Sequence, residues 1–384
     1  MTEPILKLDS HPFFTGPVPP ARHEGYLSFP FHVGINTKYA IPTQIVTDRI
    51  LHALEKAYSL GSMLSTPLGH SPLSTARMSE VLSRLLTQFG ADVKDARLLE
   101  IGCGSGDLLN ELKIRGATVM GVEIGPQGQD GARKYGFHVI DKPFAPGLIN
   151  EKFDCVFSYG CLEHVIDIEE FFIAGRECLK DGGMFFHVVP NSGQFFSQAT
   201  FDNLYHEHIN YFTKENGVRL FESQGFLKAE GRASDNRNDL FLWGFFDEKA
   251  VPRWPGECKD VISKETEALS LNTRMLFENT GRITTALKRF LSAGQSVGLY
   301  AGGFEYGVLL GNDSLIRYFD GDSYKHGLSW LSGLPPIESP SALRSRPVDH
   351  LVICKEHFYD SIVNYLSKEI RIPGSINIYD LSSL

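Results

Sequence analysis

The sequence predicts an α/β fold with a parallel sheet between helices, and three observations indicate it. Residues 98–106 have the pattern of a buried strand that runs into a glycine-rich turn, followed by a helix that begins near Asp107. Short apolar strands then alternate with helical patterns as far as about residue 247. The order of strand, glycine turn and helix starts again at Ser296. We therefore predict an N-terminal region over residues 1–90, a central α/β domain over 91–250, and a helical linker with a smaller α/β domain over 251–384.

The N-terminal region is rich in proline and aromatic residues before two helical patterns begin. Prolines recur at positions 12, 17, 19, 20 and 30, so we expect residues 11–42 to lack regular structure. Apolar residues then recur at spacings of three and four in residues 47–58 and 74–89. We predict two helices there, packed on the central domain.

The central domain carries the clearest strand patterns. We predict strands at residues 98–101, 118–123, 137–141, 153–158, 184–189 and 240–246, and a helix that ends at residues 180–183. A polar segment, residues 203–213, lies between the fifth of these strands and the next helix. Ligands of such folds bind beyond the carboxyl ends of the strands, so we expect this segment to face a site.

The C-terminal region begins with a long helical pattern at residues 259–293. A strand with a glycine turn is predicted at residues 296–303, and further strands at 316–320, 351–354 and 375–379, which favours a small parallel sheet. The turn at Gly302 and Gly303 suits either a second cofactor or a substrate phosphate held by helix N–H groups. We favour the phosphate because no acidic residue follows at the distance of a ribose contact.

Composition narrows the classes of partner. The formal net charge is −9 and no basic tract occurs, which argues against binding to nucleic acid. No apolar run reaches membrane-spanning length and no signal-peptide pattern opens the chain, so we expect a cytoplasmic protein with a small-molecule substrate. The six cysteines include no C-x-x-C pair, which favours neither a zinc site nor a disulfide framework. The oligomeric state is not predicted.

The glycine-rich turn has the order Glu-x-Gly-x-Gly-x-Gly, and an acidic residue, Glu123, follows about twenty residues later, where it would accept hydrogen bonds from a ribose diol. This order resembles the first motif of class I S-adenosylmethionine-dependent methyltransferases, which have a Rossmann-like fold. A dinucleotide-binding domain of an oxidoreductase is the alternative, but its glycine spacing differs. The resemblance implies S-adenosyl-L-methionine as cofactor, held by Glu100, Gly102, Gly104, Gly106, Glu123, Asp141, Leu162 and His164. Asp141 would contact adenine, and the last two would flank the methionine part.

The run Tyr205-His206-Glu207-His208 makes the resemblance more specific. Followed by an aromatic turn and a helix, it is similar to the motif of bacterial deoxysugar C-methyltransferases, which methylate nucleotide-linked 4-keto sugars at C3. The resemblance implies that His208 is the base, that Glu207 orients or polarises it, and that Tyr205 hydrogen-bonds the developing oxyanion. The substrate-binding candidates are Asn191, His206, Tyr211 and Lys325.

The chain also departs from that family. Its members usually begin with a cysteine-ligated zinc module, whereas the first cysteine here is Cys103, so we expect that module to be absent or degenerate. An O-methyltransferase acting on a sugar or another hydroxylated metabolite is an alternative, as is a binding subunit without activity. A metal held by His206, Glu207 and His208 is not favoured, because their spacing is not that of a helical zinc site.

Overall fold

The structure is a computed structural model that describes residues 1–20, 25–61, 67–90, 92–252 and 259–384. These residues form two compact units, and neither is one continuous segment of the chain. The first unit contains Met1–Asp9, Pro30–Phe195 and Asn203–Ser270. The second contains Ser10–Phe29, Phe196–Asp202 and Leu271–Leu384. The three-domain division made from the sequence stays a prediction.

A strand lies within residues 11–42 and two more overlap the ends of this segment, so the prediction that it lacks regular structure is wrong. They are β1 (Leu6–Pro12), β2 (Ser28–Asn36) and β3 (Ile41–Gln44), in the order β1-β2-β3. Along β2, Phe29, Phe31, Val33 and Ile35 are buried at every second position. This two-residue period is the pattern of a strand with one face packed on a core, and it outweighs the recurring prolines.

Both helices predicted for the N-terminal region are confirmed as α1 (Asp48–Ser59) and α2 (Pro72–Phe89). The side chain of Thr47 caps α1, and Ser71 forms a capping box with Ser74 at the start of α2. Val81, Leu82 and Leu85 of α2 belong to a core cluster that also includes Leu98 of the central sheet.

A seven-stranded sheet forms the centre of the first unit. Its strands are β4 (Arg97–Ile101), β5 (Thr118–Val122), β6 (His138–Ile140), β7 (Phe153–Tyr159), β8 (Leu179–Pro190), β9 (Phe226–Ala233) and β10 (Asp239–Phe246). The order is β6-β5-β4-β7-β8-β10-β9. The first five strands run parallel, and β10 is antiparallel to both β8 and β9.

The helices of this part are α3 (Asp107–Ile114), α4 (Pro126–Tyr135), α5 (Ile168–Cys178), α6 (Ser192–Gln198) and α7 (Lys214–Ser223). Because α5 ends at Cys178 and β8 begins at Leu179, residues 180–183 are strand rather than the predicted end of a helix. The α/β fold with a Rossmann-like centre is confirmed.

The C-terminal part contains the predicted long helix and parallel sheet. The helices are α8 (Lys259–Ser292), α9 (Phe304–Leu309), α10 (Ala342–Ser345) and α11 (Tyr359–Tyr365). The strands are β11 (Val297–Tyr300), β12 (Ile316–Phe319), β13 (Ile337–Glu338), β14 (His350–Ile353) and β15 (Asn377–Asp380), all paired in parallel in the order β13-β12-β11-β14-β15. None of the helices among the described residues is both long and apolar enough to cross a membrane.

Candidate active site

The glycine-rich turn between β4 and α3 adopts a backbone that favours glycine at three positions. Gly102, Gly104 and Gly106 have φ angles of 68°, 52° and 74°, in the left-handed region. A Cβ atom on Gly106 would lie 2.2 Å from the ring of Phe137. Because these positions carry no side chain, a ligand can approach the backbone of the turn closely. The turn leads directly into α3, whose first N–H groups have no partner within the helix.

Glu123 follows β5 and ties this turn to the start of α4. Its carboxylate accepts hydrogen bonds from the backbone N–H of Gly104 at 2.9 Å and of Gly125 at 2.7 Å. Burial raises the pKa of Glu123. The Gln127 amide also donates to this carboxylate at 3.3 Å, so these donors take up most of its roughly four acceptor positions.

Two further acidic residues surround the turn. Glu100, at the end of β4, is buried, and burial together with nearby Glu123 raises its pKa well above the usual value. Asp107, the first residue of α3, accepts hydrogen bonds from Ser105, from Tyr135 at 2.5 Å and from His70 at 3.3 Å. Burial alone would raise the pKa of Asp107, but these hydrogen bonds lower it.

The other predicted cofactor residues also follow strands of the sheet. Asp141 is exposed directly after β6. Leu162 and His164 lie in a single 3-10 turn after β7, and Leu162 is fully buried. The parallel strands bring these positions to the same edge of the sheet as the glycine turn, since their carboxyl ends meet there.

The 3-10 turn is hydrogen-bonded to the polar segment that carries the predicted catalytic residues. The carbonyl of Glu163 accepts from the N–H groups of Ile209 at 2.8 Å and Asn210 at 2.9 Å. The Asn210 side chain donates to the carbonyl of Val165 at 2.6 Å. As a result, the ring of His164 lies against that of His208, with centroids 5.3 Å apart and planes at 30°.

His208 is held in one tautomer by the backbone. Its Nδ1 donates to the carbonyl of Asn203 at 2.9 Å, because a carbonyl can only accept, so in the neutral ring Nε2 carries the lone pair. Burial lowers the pKa of His208 to about 4. The ring of Tyr205 packs edge-on against it, with centroids 5.3 Å apart. The imidazole is therefore neutral at pH 7, with Nε2 able to accept a proton.

Glu207 is buried, but the contact that orients His208 at Nδ1 comes from the Asn203 carbonyl, and the polarising role expected for Glu207 stays a prediction. Burial raises the pKa of Glu207 well above its usual value, and the nearby carboxyl of Glu163 adds to the effect. Glu207 therefore places a second buried carboxyl group in the site rather than a partner for the ring nitrogen.

Tyr58 and Glu163 are site residues that sequence reasoning missed. The Tyr58 hydroxyl lies 3.4 Å from Nδ1 of His164, and burial and then Glu207 raise the pKa of Tyr58 well above its usual value. Burial raises the pKa of Glu163 to about 8, and its Oε1 lies 3.9 Å from Nε2 of His164. Tyr58 lies on α1, where nothing in the helical spacing distinguishes it from a residue of the helix surface.

Among the described residues, the group that comes nearest to a metal site differs from the one considered in the sequence. Glu163, His164 and His208 each have a ligand atom within 4.8 Å of the others. Ligand atoms bound to one Zn²⁺ are about 3 to 3.5 Å apart, so this group is more open than a metal site. His206 packs edge-on against Phe31, with centroids 5.2 Å apart, and contributes no atom to the group.

The predicted substrate residues have varied surroundings. The Asn191 amide, at the end of β8, donates to the carbonyl of Arg237 at 2.9 Å. Tyr211 is fully buried, which raises the pKa of its hydroxyl. In the second unit, Lys325 pairs with Asp320 at 2.9 Å. Their roles in binding substrate stay predictions.

The glycine turn of the second unit leads into a helix with a buried carboxyl group, and the phosphate that we favoured there stays a prediction. Glu305, in the first turn of α9, is buried, and this burial, with a smaller contribution from the carboxyl of Asp202, raises its pKa to about 8. Lys355 is paired with Asp202 at 2.5 Å.

Comparisons with known proteins agree with the geometry of the first unit. A family model described as "Methyltransferase domain" matches residues 74–229. C-methyltransferase NovU of Streptomyces niveus is 26% identical over 144 residues, which cover 36% of this chain and 34% of NovU. A ubiquinone biosynthesis O-methyltransferase of Ruegeria sp. is 30% identical over 198 residues, which cover 46% of this chain and 80% of that protein. Its counterpart in Dinoroseobacter shibae is 26% identical over 176 residues, 40% of this chain and 71% of that protein.

The match to NovU thus spans about a third of that relative's own length. Among solved structures, N-methyltransferase NodS of Bradyrhizobium japonicum is similar over 52% of this chain and 100% of that chain, with 15% identity and a TM-score of 0.38. The matched domain contains the glycine turn, Glu123 and the turn with His164, and these residues fit the predicted cofactor. The chain belongs to the S-adenosylmethionine-dependent methyltransferases, enzymes whose methyl donor is S-adenosyl-L-methionine.

Proposed function

We propose that this enzyme methylates a carbon atom next to the ketone of a nucleotide-linked 4-keto-deoxysugar. The observation that carries the proposal is the tautomer of His208, whose Nδ1 donates to the Asn203 carbonyl and leaves Nε2 as a buried base. A carbon beside a ketone becomes nucleophilic only when a base removes its proton. The likeness to NovU, which is named a C-methyltransferase, supports this choice.

In this mechanism Nε2 of His208 removes the proton from the carbon, and the electrons of the broken C–H bond form an enolate. The hydroxyl of Tyr205, whose ring packs on His208, donates a hydrogen bond to the enolate oxygen. S-adenosyl-L-methionine supplies a methyl group on a positively charged sulfur. The enolate carbon bonds to this methyl carbon as the methyl–sulfur bond breaks, and the sulfur keeps that electron pair.

The buried carboxyl groups have a role in the same step. Once His208 has accepted a proton, it is a cation away from water, and such a charge is costly without a counter-charge. Burial raises the pKa of Glu163 and of Glu207, and a positive charge on His208 would lower both values again, so that a carboxyl group can ionise and supply that counter-charge. We assign them the role of stabilising the imidazolium, and assign to His164 and Leu162 the positioning of the methyl donor.

The test is mass spectrometry of reactions in heavy water, with S-adenosyl-L-methionine and a panel of nucleotide-linked 4-keto-6-deoxy sugars. We expect a methyl mass gain and deuterium exchange at the carbon beside the ketone. His208→Asn should lose both, whereas a control substitution of an exposed residue on α1, His52→Asn, should retain both. Neither exchange nor methylation across the whole panel would contradict the proposal.

O-methylation of a sugar or another hydroxylated metabolite is the second candidate. The likeness to ubiquinone biosynthesis O-methyltransferases, one of them covered over 80% of its length, favours it. In this case Nε2 of His208 would take a hydroxyl proton. A sugar whose ketone has been reduced to an alcohol separates the two, because it can accept a methyl group on oxygen but cannot form an enolate.

A further inference from the structure

Residues 196–202 belong to the second unit, although the chain on both sides of them belongs to the first. The side chain of Asn279, on α8, donates to the carbonyl of Gln198 at 3.3 Å. The ring of Phe201 packs edge-on against that of Tyr306, on α9, with centroids 5.7 Å apart. The chain is thus fixed at these residues directly before it enters the polar segment that carries the proposed base.

Asp202 is the last residue of this stretch, and it is paired with Lys355, which follows β14. Nζ of Lys355 donates to the carboxylate of Asp202 at 2.5 Å. The two side chains are only partly exposed, at 16% for Asp202 and 28% for Lys355. The carboxyl of Glu305 is close enough for both charges to affect its pKa. A mostly buried carboxylate beside a second carboxyl group is costly without a cation, so Lys355 holds Asp202 in place.

Asn203, the next residue, holds the ring of His208. Its φ angle of 73° lies in the left-handed region, which asparagine adopts more readily than most residues. Its side-chain amide donates to the hydroxyl of Ser192 at 3.3 Å, and its carbonyl accepts from Nδ1 of His208 at 2.9 Å. Because the peptide bond between Asp202 and Asn203 is planar, a shift of Asp202 is passed on to the residue that carries this carbonyl.

We infer that Lys355 is a positioning residue for the base: it holds Asp202 and thereby keeps the carbonyl of Asn203 on Nδ1 of His208. That His208 is the base rests on the function proposed above. Lys355 acts only through the chain and takes no part in the proton transfer. Without the carbonyl, the ring can take the other neutral tautomer, in which Nε2 carries the hydrogen and cannot accept a proton.

The test measures the tautomer of His208 directly, by ¹⁵N NMR of the full chain labelled at its 13 histidines, with S-adenosylhomocysteine bound. The His208→Asn variant assigns the signal. Wild type should show only the tautomer with hydrogen on Nδ1. Lys355→Met, which removes the charge and keeps the length of the side chain, should raise the Nε2–H tautomer to at least about 10%. Lys355→Arg should restore the wild-type signal, because a guanidinium also pairs with a carboxylate.

A second lysine–aspartate pair supplies the matched control. Lys180 donates to Asp154 at 2.7 Å, at the start of β7 and β8. Lys180→Met should leave the tautomer of His208 unchanged. A single Nδ1–H tautomer in Lys355→Met, or an equal change in Lys180→Met, would overturn the inference.

Asp202→Asn tests the same route with a side chain of nearly the same shape, and it replaces Lys355→Met if that variant does not fold. We expect it to produce the same change of tautomer. Because Lys355 acts through Asp202, adding Lys355→Met to Asp202→Asn should have no further effect. A further change of equal size would show that Lys355 acts by another route and would also overturn the inference.

Failure of the proposed function gives a different result. If no sugar of the panel is methylated or exchanged, the proposed function is wrong, but the NMR measurement uses no substrate and still decides the role of Lys355. With an accepted sugar, Lys355→Met should lower kcat and leave KM for S-adenosyl-L-methionine within about twofold. A loss of kcat without a change of tautomer would mean that Lys355 has only a structural role.

Discussion

Gly106 leaves no room for a side chain in the cofactor turn. Its φ angle of 74° and the 2.2 Å approach of a Cβ to Phe137 mean that alanine there must displace the ring as well as strain the backbone. We expect Gly106→Ala to weaken S-adenosyl-L-methionine binding at least tenfold by calorimetry, about 1.4 kcal/mol or more. Gly90→Ala is the control, because Gly90 also has a positive φ of 116° but nothing lies within 4 Å of its Cβ position. Equal affinities of the two variants would show that the ring contact does not shape the cofactor site.

Tyr58 is a site residue that the structure shows and the sequence analysis missed. Its hydroxyl contacts Nδ1 of His164, whose ring lies against His208. Tyr58→Phe removes one hydrogen bond, worth about 1 kcal/mol, so we expect turnover to fall about fivefold to tenfold. The affinity for S-adenosyl-L-methionine should change less than twofold. Unchanged turnover would mean that His164 keeps its orientation without this hydroxyl.

Helix α7 begins immediately after the polar segment of residues 203–213, which carries His208 and is called the catalytic segment here. The start of α7 fixes where that segment ends. Thr213 and Asn216 form a capping box, and the Asn216 amide also donates to the carbonyl of Tyr211 at 3.2 Å. Thr213→Ala removes the cap and should lower the free energy of unfolding by about 1 kcal/mol in urea titrations. Thr47→Ala removes the side-chain cap of α1 at the end of that helix opposite to Tyr58. Both variants should lose stability, but only Thr213→Ala should lower turnover beyond the loss of folded protein.

At this scale the sequence predicts elements well where one periodic pattern dominates. The helices α1, α2 and α8 and most strands of the two larger sheets follow from spacing and glycine turns, whereas β9 and β13 were not predicted. The strand β2 was missed because Pro30 and the prolines before it outweighed the alternation of Phe31 and Val33. Pairing across a sheet decides such cases, and single-sequence periodicity does not contain it.

Over the whole molecule, the cofactor turn is local in sequence but the catalytic site is not. Tyr58 and His164 are 106 residues apart, and the segment with His208 is held by the carbonyl of Glu163. The motifs therefore predict the cofactor residues, whereas the partners of His208 and His164 depend on packing. The orienting role expected for Glu207 illustrates this, because a backbone carbonyl, which has no signal in the sequence, takes it.

The stability of the whole chain depends on pH. Glu305 contributes to this dependence by lowering stability as pH rises. Burial raises its pKa from 4.5 to about 8, with Asp202 adding to the shift. The folded state then binds the proton more tightly than the unfolded state, so stability falls as pH rises from about 4.5 to about 8. The slope from this group is at most about 1.4 kcal/mol per pH unit. We expect Glu305→Gln to remove that slope in urea titrations between pH 5 and 8.

Glu338 supplies the control for this prediction because its pKa is shifted the opposite way. The hydrogen bond from Arg317 is the main cause that lowers the pKa of Glu338 below 4.5, so its stabilising contribution is lost only as pH falls below that value. Between pH 5 and 8 it is ionised in both states and adds no slope. Glu338→Gln should therefore lower the urea midpoint by a similar amount at every pH in this range. An equal pH slope of stability in wild type and Glu305→Gln would show that Glu305 stays ionised in the folded protein. Its buried charge would then need a nearby cation, for which Lys355 is the candidate.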